Sequence, residues 1–315
     1  MLMGGKTMKT RNIVVVALTI VIATIFNPCT YPSQITKEPA LLPIIDMHCH
    51  AIEGSEEKDF YGNPASANSE MLFLETYQQF RKWNVIKAVV SGPLDCVEMW
   101  ESNDTDNRVI RGIMMMAPTD DQMNPTRFES LIREGKIKVF GEIVPMVKGM
   151  TINDPEWQPY LAICEKYEVP LMLHTGNIPK ALVPWATKLR QHLGDPYLIE
   201  DVLVRYPKLR IYLCHFGTEW REHTLALMIG YPQLYTDIGA MLWLSPLHKK
   251  MAKEFLTDAK LAGCLDRVMF GSDQMNWPHA IEMSIEYLNS LDFLTEKDKR
   301  DILYNNAAKF LRLKE

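Results

Sequence analysis

Residues 42–50 read Leu-Pro-Ile-Ile-Asp-Met-His-Cys-His, and this stretch decides between two folds. It begins as a short apolar strand and runs directly into His48-Cys49-His50. A doubly wound open sheet usually carries a glycine-rich phosphate loop after its first strand, and no such loop follows here. The stretch therefore favours a closed barrel over an open sheet.

Alternation along this strand has a second consequence. Successive side chains of a strand point to opposite faces, so Asp46, His48 and His50 are expected on one face and Cys49 on the other. The two imidazoles can then converge on one metal ion, while Cys49 is expected to be structural.

Further apolar segments follow, separated by longer amphipathic stretches. The eight predicted strands are Leu42–His48, Val85–Ser91, Val109–Met115, Ile137–Val144, Val169–His174, Leu209–His215, Gln233–Ile238 and Arg267–Ser272. The predicted helices are Glu70–Trp83, Pro125–Glu134, Pro155–Tyr167, Pro196–Arg205, Glu219–Gly230, Pro246–Ala262, Pro278–Leu291 and Glu296–Arg312. This alternation over roughly 270 residues predicts an α/β fold with a single (β/α)₈ TIM barrel.

The composition excludes several classes of protein. A chain of 315 residues that is 47% hydrophobic and 23% charged can bury a sizeable core, which argues against a disordered or coiled-coil chain. The net charge of −5 offers no basic field for nucleic acid. The six cysteines are widely spaced and are expected to be single buried thiols, with no disulfide framework.

The N-terminal residues form a separate segment. Lys6, Lys9 and Arg11 precede an unbroken apolar run at residues 13–26, which fits an export signal and is short for a membrane span. We expect residues 1–28 to be a signal peptide or an uncleaved membrane anchor, 29–42 a linker and 43–315 the barrel. The protein would then work in a bacterial periplasm or envelope, with a possible membrane tether.

Side chains of the kinds that bind metal ions stand at the ends of the predicted strands. They are His48, His50, Glu142, His174, His215 and Asp273. In a (β/α)₈ barrel all strands end at one C-terminal mouth, so these residues are expected to converge there. Burying so many ionisable groups together is costly unless a cation or hydrogen bonds compensate. The pattern therefore predicts a divalent-metal site.

Other polar residues follow the same strands by a few positions and are candidates to contact a small-molecule substrate. They are Lys148, Asn177, Arg221, Trp277 and His279. Lys148 or Arg221 would suit an anionic group on the substrate. The remaining histidines, 192, 223 and 248, are expected on the surface. The pattern leaves the oligomeric state open.

The ordered histidines and acids resemble the amidohydrolase superfamily. The pieces Asp46–His50, Leu173–Gly176, Cys214–Gly217 and Phe270–Asp273 are most similar to its amidohydrolase-related (amidohydrolase 2) branch. The resemblance extends over residues 43–312 and implies a metal-dependent barrel enzyme.

The resemblance implies one of two chemistries. In the hydrolytic arrangement two ions are bound, the first by His48, His50 and Asp273 and the second by His174 and His215, with Glu142 bridging. A metal-activated hydroxide then attacks a small ester, lactone or amide, and Asp273 holds this hydroxide and passes its proton to the leaving group. The second arrangement is that of a lyase, either a decarboxylase or a hydratase. One ion is bound by His48, His50, His174 and Asp273, and His215 is then free to act as the general acid/base.

Glu142 favours hydrolysis, because Gly141-Glu142-Ile143 resembles the Gly-Glu-Ile of TatD-like hydrolases. Several decarboxylases carry an acidic residue at the first ligand position, although the aminocarboxymuconate semialdehyde decarboxylases also have two histidines. A nuclease is disfavoured by the acidic charge, and a binding barrel without turnover is disfavoured by the intact ligand set. Zinc is the leading metal because imidazole-rich sites suit it, with manganese or iron as alternatives.

Overall fold

Eight parallel strands form one sheet whose order follows the chain from β1 to β8. The computed structural model describes residues 41–118, 123–178 and 183–313. The strands are β1 (Ile44–His50), β2 (Val85–Ser91), β3 (Val109–Met115), β4 (Val139–Ile143), β5 (Leu171–Leu173), β6 (Ile211–Leu213), β7 (Leu234–Asp237) and β8 (Val268–Met269). The N–H of Met47 in β1 donates to the carbonyl of Phe270, directly after β8, at 2.9 Å. This bond joins the two edges, so the predicted barrel is confirmed.

Helices lie between successive strands, and three more follow the last strand. They are α1 (Ser69–Lys82), α2 (Leu94–Asn103), α3 (Pro125–Arg133), α4 (Gln158–Tyr167), α5 (Glu200–Arg205), α6 (Arg221–Gly230), α7 (Pro246–Leu261), α8 (Ala280–Ser290), α9 (Glu296–Arg300) and α10 (Asn306–Leu311). Three observed features depart from the sequence prediction. The short helix α2 was not predicted, α4 and α5 are each preceded by a 3₁₀ turn, and a π-helical turn, Asp301–Asn305, divides the predicted last helix.

Several strands are shorter than the apolar runs that predict them. β5 covers Leu171–Leu173 instead of Val169–His174, and β8 covers only Val268–Met269. The residues at the C-terminal ends leave the hydrogen-bonded ladder to form loops at the mouth. After β6, His215 and Phe216 have φ angles of 61° and 43°, values that no strand contains.

Two apolar layers hold the barrel together. One lies between the sheet and the helices and includes the aromatic group of Phe73, Tyr77 and Trp100. The other fills the barrel interior, where Phe310 of α10 packs on Tyr212 with ring centroids 5.4 Å apart. Because apolar side chains fill the interior beneath it, the C-terminal mouth is where polar groups gather.

The cysteines of the described residues are all buried and free of disulfides, as the sequence predicts; they are Cys49, Cys96, Cys164, Cys214 and Cys264. The predicted export segment and most of the predicted linker lie outside the described residues. Within the described part, no helix combines the length and the apolar character that crossing a bilayer requires.

Candidate metal centre

The six predicted ligand residues meet at the C-terminal mouth of the barrel. Nε2 of His48 lies 3.2 Å from Nε2 of His50, and Oδ1 of Asp273 lies 3.0 Å from Nε2 of His50. On the other side of the mouth, Nδ1 of His174 lies 2.8 Å from Oε1 of Glu142. Tertiary structure thus brings together side chains from β1 and β4 and from the segments that follow β5, β6 and β8.

Glu142 lies between two groups of imidazoles. Its Oε2 is 3.7 Å from Nε2 of His48 and 3.6 Å from Nε2 of His50. Its Oε1 is 2.8 Å from Nδ1 of His174 and 3.5 Å from Nε2 of His215. Each carboxylate oxygen therefore faces a different pair of histidines, which is the arrangement that a bridging ligand requires.

The first strand departs from simple alternation. Between Asp46 and Cys49, β1 advances by 49 − 46 = 3 residues while its partner β2 advances by 90 − 88 = 2. This irregularity is a bulge, a feature that re-aims side chains next to active sites. The expectation that Asp46 shares the face of the imidazoles is wrong, because its neighbours Ile45 and Met47 both face the barrel interior, so Asp46 points to the other face. Its Oδ1 accepts from the backbone N–H groups of His48 and Ser272 at 3.0 and 2.9 Å.

Two glycines allow the backbone to approach the site closely. A Cβ on Gly141 would lie 2.4 Å from the carbonyl oxygen of Met172, so only glycine lets β4 run this close to β5 just before Glu142. A Cβ on Gly239 would lie 2.8 Å from Nδ1 of His48. Both positions hold ligand-bearing segments at their observed spacing.

Two residues absent from the sequence prediction hold the candidate ligands in place. Asp237, at the end of β7, places Oδ2 3.0 Å from Nδ1 of His48. Gln274 accepts from the N–H of His50 at 2.9 Å and donates to its carbonyl at 2.8 Å. The sequence could have indicated Asp237, because it lies at the end of a predicted apolar strand just as His174 and His215 do.

Burial and charge act in opposite directions on the ionisable groups here. Burial favours the neutral ring of His48, but Asp273 and Asp237 outweigh it and raise the pKa of His48 well above its usual value. Burial is likewise outweighed at His215, whose pKa is raised by Glu142 and Asp273. At His174 burial dominates and lowers the pKa. For Asp273, burial is outweighed by the neighbouring imidazoles, and its pKa falls to about 2.

The residues fit a divalent metal ion. Oδ1 of Asp273 is buried without a hydrogen bond, although it lies 3.0 and 3.6 Å from two ring nitrogens. Imidazole nitrogens and carboxylate oxygens are the ligands that zinc takes in catalytic sites. The groups whose ligand atoms all lie within 4.8 Å of one another include His48–His50–Glu142, His48–His215–Asp273 and Glu142–His174–His215.

The predicted substrate residues are spread around the mouth. Lys148 is exposed, with Nζ 5.3 Å from the ring centre of Trp185. Arg221 forms an ion pair with Glu254 of α7 at 3.2 Å, so its charge is already paired. The exposed Asn177 is held at its backbone N–H by Glu219.

The last two candidates follow β8. Trp277 is buried against Trp243, with ring centres 6.0 Å apart. His279 contacts Asp59 at 2.8 Å, which ties the loop after β1 to the start of α8. Neither lies among the groups of ligand atoms at the metal centre.

A cavity of about 1420 Å³ opens at the C-terminal ends of β2, β3 and β4. Its cationic lining residues are Arg127, Lys148, Lys188 and Arg190, and its acidic ones are Asp95, Glu98 and Glu156. Met115, also in its wall, belongs to β3, whose backbone pairs with Ile143 beside Glu142. The cavity therefore lies at the same end of the barrel as the metal centre, and none of the six candidate ligands lines it.

A closed (β/α)₈ barrel with histidines and carboxylates gathered at its mouth defines a class of metal-dependent enzymes. The model of the amidohydrolase family matches residues 45–313, and the chain belongs to this family. Membership indicates an enzyme, and the resemblance found in the sequence is confirmed. No curated protein matches the chain.

Solved structures with the same fold include both hydrolases and decarboxylases. A probable 2-pyrone-4,6-dicarboxylic acid hydrolase from Acinetobacter baumannii is 16% identical, with a TM-score of 0.60 over 86% of this chain and 100% of that one. A 2,6-dihydroxybenzoate decarboxylase from Rhizobium is 13% identical, with a TM-score of 0.58 over 87% and 99%. An amidohydrolase from Burkholderia multivorans with bound zinc is 12% identical, with a TM-score of 0.56 over 87% and 100%. At these identities the likeness shows the fold alone.

Proposed function

We propose that the protein is a metal-dependent hydrolase of a small ester, lactone or amide. The position of Glu142 carries this proposal, because its two oxygens face two different pairs of histidines. A ligand set for a first ion is His48, His50 and Asp273, and a set for a second is His174 and His215, with Glu142 shared. Zinc is the proposed metal, since the donors are nitrogen and oxygen atoms. Ions held there would supply a nucleophile at neutral pH and polarise the scissile carbonyl.

The chain's own residues would move the protons. Asp273 is ionised at neutral pH because its pKa is about 2, so its carboxylate can accept a proton from the attacking water and donate it to the leaving group. Oδ2 of Asp273 lies 3.9 Å from Nδ1 of His215, and the ring of His215 is fixed by a 3.0 Å contact between Nδ1 and the carbonyl of Gly239. Both side chains are nine-tenths buried or more, which limits competing water.

The exposed cations at the same end of the barrel as the metal centre support an anionic group on the substrate. Lys148, Arg127 and Arg190 line the cavity at the ends of β2, β3 and β4, and all three side chains are exposed. A carboxylate on the substrate would be bound there by charge-assisted hydrogen bonds.

A lyase that removes a carboxylate, or hydrates a substrate, is the second candidate. The raised pKa of His215 favours it, because a protonated imidazole can donate a proton to the product carbon. Against it, His174 shares its group of ligand atoms with Glu142 and His215, whereas the lyase arrangement needs His174 together with His48 and His50.

The number of metal ions bound per chain of the purified protein distinguishes the proposed hydrolase from the proposed lyase. We expect two ions per chain, and we expect Glu142→Gln to lose both, since the bridging carboxylate is replaced by a neutral amide of the same shape. Glu222→Gln, on the exposed surface of α6, is the matched control and should keep both ions. One ion retained in Glu142→Gln would favour the lyase, and a wild-type protein without metal would overturn both.

We also propose that the protein is exported, and that residues 1–28 are either cleaved as a signal peptide or kept as a membrane anchor. The support is the cationic start and the apolar run at residues 13–26. Cell fractionation with N-terminal sequencing tests this proposal, and a cytosolic protein with an intact N-terminus would contradict it.

A further inference from the structure

β7 provides none of the proposed metal ligands, yet its last residue contacts one histidine from each of the two proposed ligand sets. Asp237 is fully buried, and its Oδ2 lies 3.0 Å from Nδ1 of His48. Its Oδ1 accepts from the backbone N–H of His215 at 3.0 Å and from that of Gly239 at 2.9 Å. One carboxylate therefore joins a histidine of the first ligand set to a histidine of the second.

The contact with His48 decides which ring nitrogen can bind a metal ion. A neutral imidazole carries its hydrogen on one nitrogen and a lone pair on the other. A carboxylate only accepts, so the hydrogen of His48 belongs on Nδ1, facing Asp237. Nε2 then presents its lone pair to His50, Glu142 and Asp273, the residues that lie 3.2 to 3.7 Å away.

A parallel arrangement fixes His215. Nδ1 of His215 lies 3.0 Å from the carbonyl oxygen of Gly239, which also only accepts. The hydrogen therefore belongs on Nδ1, and Nε2 faces Oε1 of Glu142 at 3.5 Å. Because Asp237 holds the backbone N–H groups of both His215 and Gly239, it fixes the two ends of this contact.

We propose that Asp237 is a positioning residue that sets the ring orientation and tautomer of His48 directly, and those of His215 through the main chain. This inference rests on the proposed metal centre. Partners of this kind raise the affinity of a site by holding its ligands in the binding form, and their loss typically costs roughly 10–100-fold in metal affinity.

The substitution Asp237→Asn tests the direct contact. The amide oxygen of asparagine can still accept from His215 and Gly239, but its NH₂ group would face Nδ1 of His48. The ring would then place its hydrogen on Nε2, where it blocks metal binding. Asp195→Asn is the matched control, because Asp195 likewise contacts a histidine, Nδ1 of His223 at 2.7 Å, and a backbone N–H, that of Tyr197 at 3.0 Å. Asp195 belongs to none of the groups of candidate ligand atoms.

Two measurements are needed. The first is zinc affinity by competition with a chelator, and the second is the tautomer of each neutral, metal-free histidine by ¹⁵N NMR, recorded at a pH above the raised pKa values of His48 and His215. We expect Asp237→Asn to move the hydrogen of His48 to Nε2 and to weaken zinc binding at one site by roughly 10–100-fold. Asp237→Ala, which also loses the backbone bonds, should weaken both sites, and thermal unfolding will show that each variant is folded. Asp195→Asn should change neither quantity.

The result that overturns the inference is a folded Asp237→Asn protein in which His48 keeps its hydrogen on Nδ1, or in which zinc binds as tightly as in the wild type. This outcome is distinct from failure of the proposed function. A wild-type protein that binds no zinc contradicts the metal centre, while the NMR measurement on the metal-free protein still decides the role of Asp237.

Discussion

Nε2 of His48 lies 3.2 Å from Nε2 of His50, and both ring nitrogens face the carboxylates of Glu142 and Asp273. Two nitrogen lone pairs at this distance repel each other unless a proton or a cation lies between them. In the metal-free protein burial disfavours the protonated ring of His48, but Asp273 and Asp237 outweigh burial and raise its pKa. A metal ion would take the place of that proton, so metal binding and protonation compete at this site.

Metal affinity should therefore rise with pH. The pKa values of His48 and His215 are raised, so these rings hold their protons to a higher pH than free histidine does. Binding must release those protons, which weakens affinity as the pH falls through the raised values. Calorimetry in buffers of different ionisation enthalpy measures the released protons, and an affinity that is independent of pH would contradict this account.

His215→Asn should abolish turnover under both proposed mechanisms. With two ions, it removes a metal ligand, so metal content should fall together with activity. With one ion, it removes only the acid/base, so metal content should stay unchanged. Elemental analysis of the variant beside an activity assay distinguishes the two, and full activity would exclude both roles.

Gly239→Ala should weaken metal binding because there is no room for a methyl group. Its Cβ would lie 2.8 Å from Nδ1 of His48 and 3.1 Å from Oδ1 of Asp237, so the ring or the carboxylate must shift. We expect a loss of about 1–3 kcal/mol in the free energy of unfolding, as for other overpacked sites. Gly230→Ala, whose Cβ would meet nothing within 4 Å, is the control and should change neither stability nor metal affinity appreciably.

Lys148 and Arg221 should differ in their effect on substrate binding. Lys148 lines the cavity at the C-terminal end of the barrel, whereas Arg221 is paired with Glu254. Once a substrate is identified, Lys148→Ala should raise KM by roughly tenfold, the loss of one charge-assisted hydrogen bond of about 1.5 kcal/mol. Arg221→Ala should leave KM unchanged, and the reverse pattern would place the anion subsite at α6.

Much of the fold could be predicted from local sequence. The predicted bounds of β2 and β3 agree with the structure. Each is a short, largely apolar run that contains β-branched residues, which favour strands. The C-terminal ends of the other strands were harder to predict, since residues such as His215 leave the hydrogen-bonded sheet and adopt positive φ angles. The helix α2 was missed because its buried residues, Cys96, Val97 and Trp100, give too short a pattern to indicate a helix.

The convergence of the six candidate ligands was predictable because each lies near the C-terminal end of an apolar strand, and a parallel barrel brings all strand ends to one mouth. The roles of the neighbouring residues could not be predicted from the sequence. Asp46 belongs to the same strand as His48 and His50, but a bulge directs its carboxylate to backbone N–H groups. Arg221 follows β6 closely, but the contact that neutralises it comes from α7.

The sequence by itself determined the barrel, the family and the kinds of side chain at the mouth, because these follow from periodicity and from the order of residues along the chain. Only the tertiary structure decided that the two oxygens of Glu142 face different histidines and that Asp237 joins His48 to His215. Distances between atoms on β1, β4, β6 and β7 depend on the closure and packing of the whole barrel, and no local pattern in the chain encodes them.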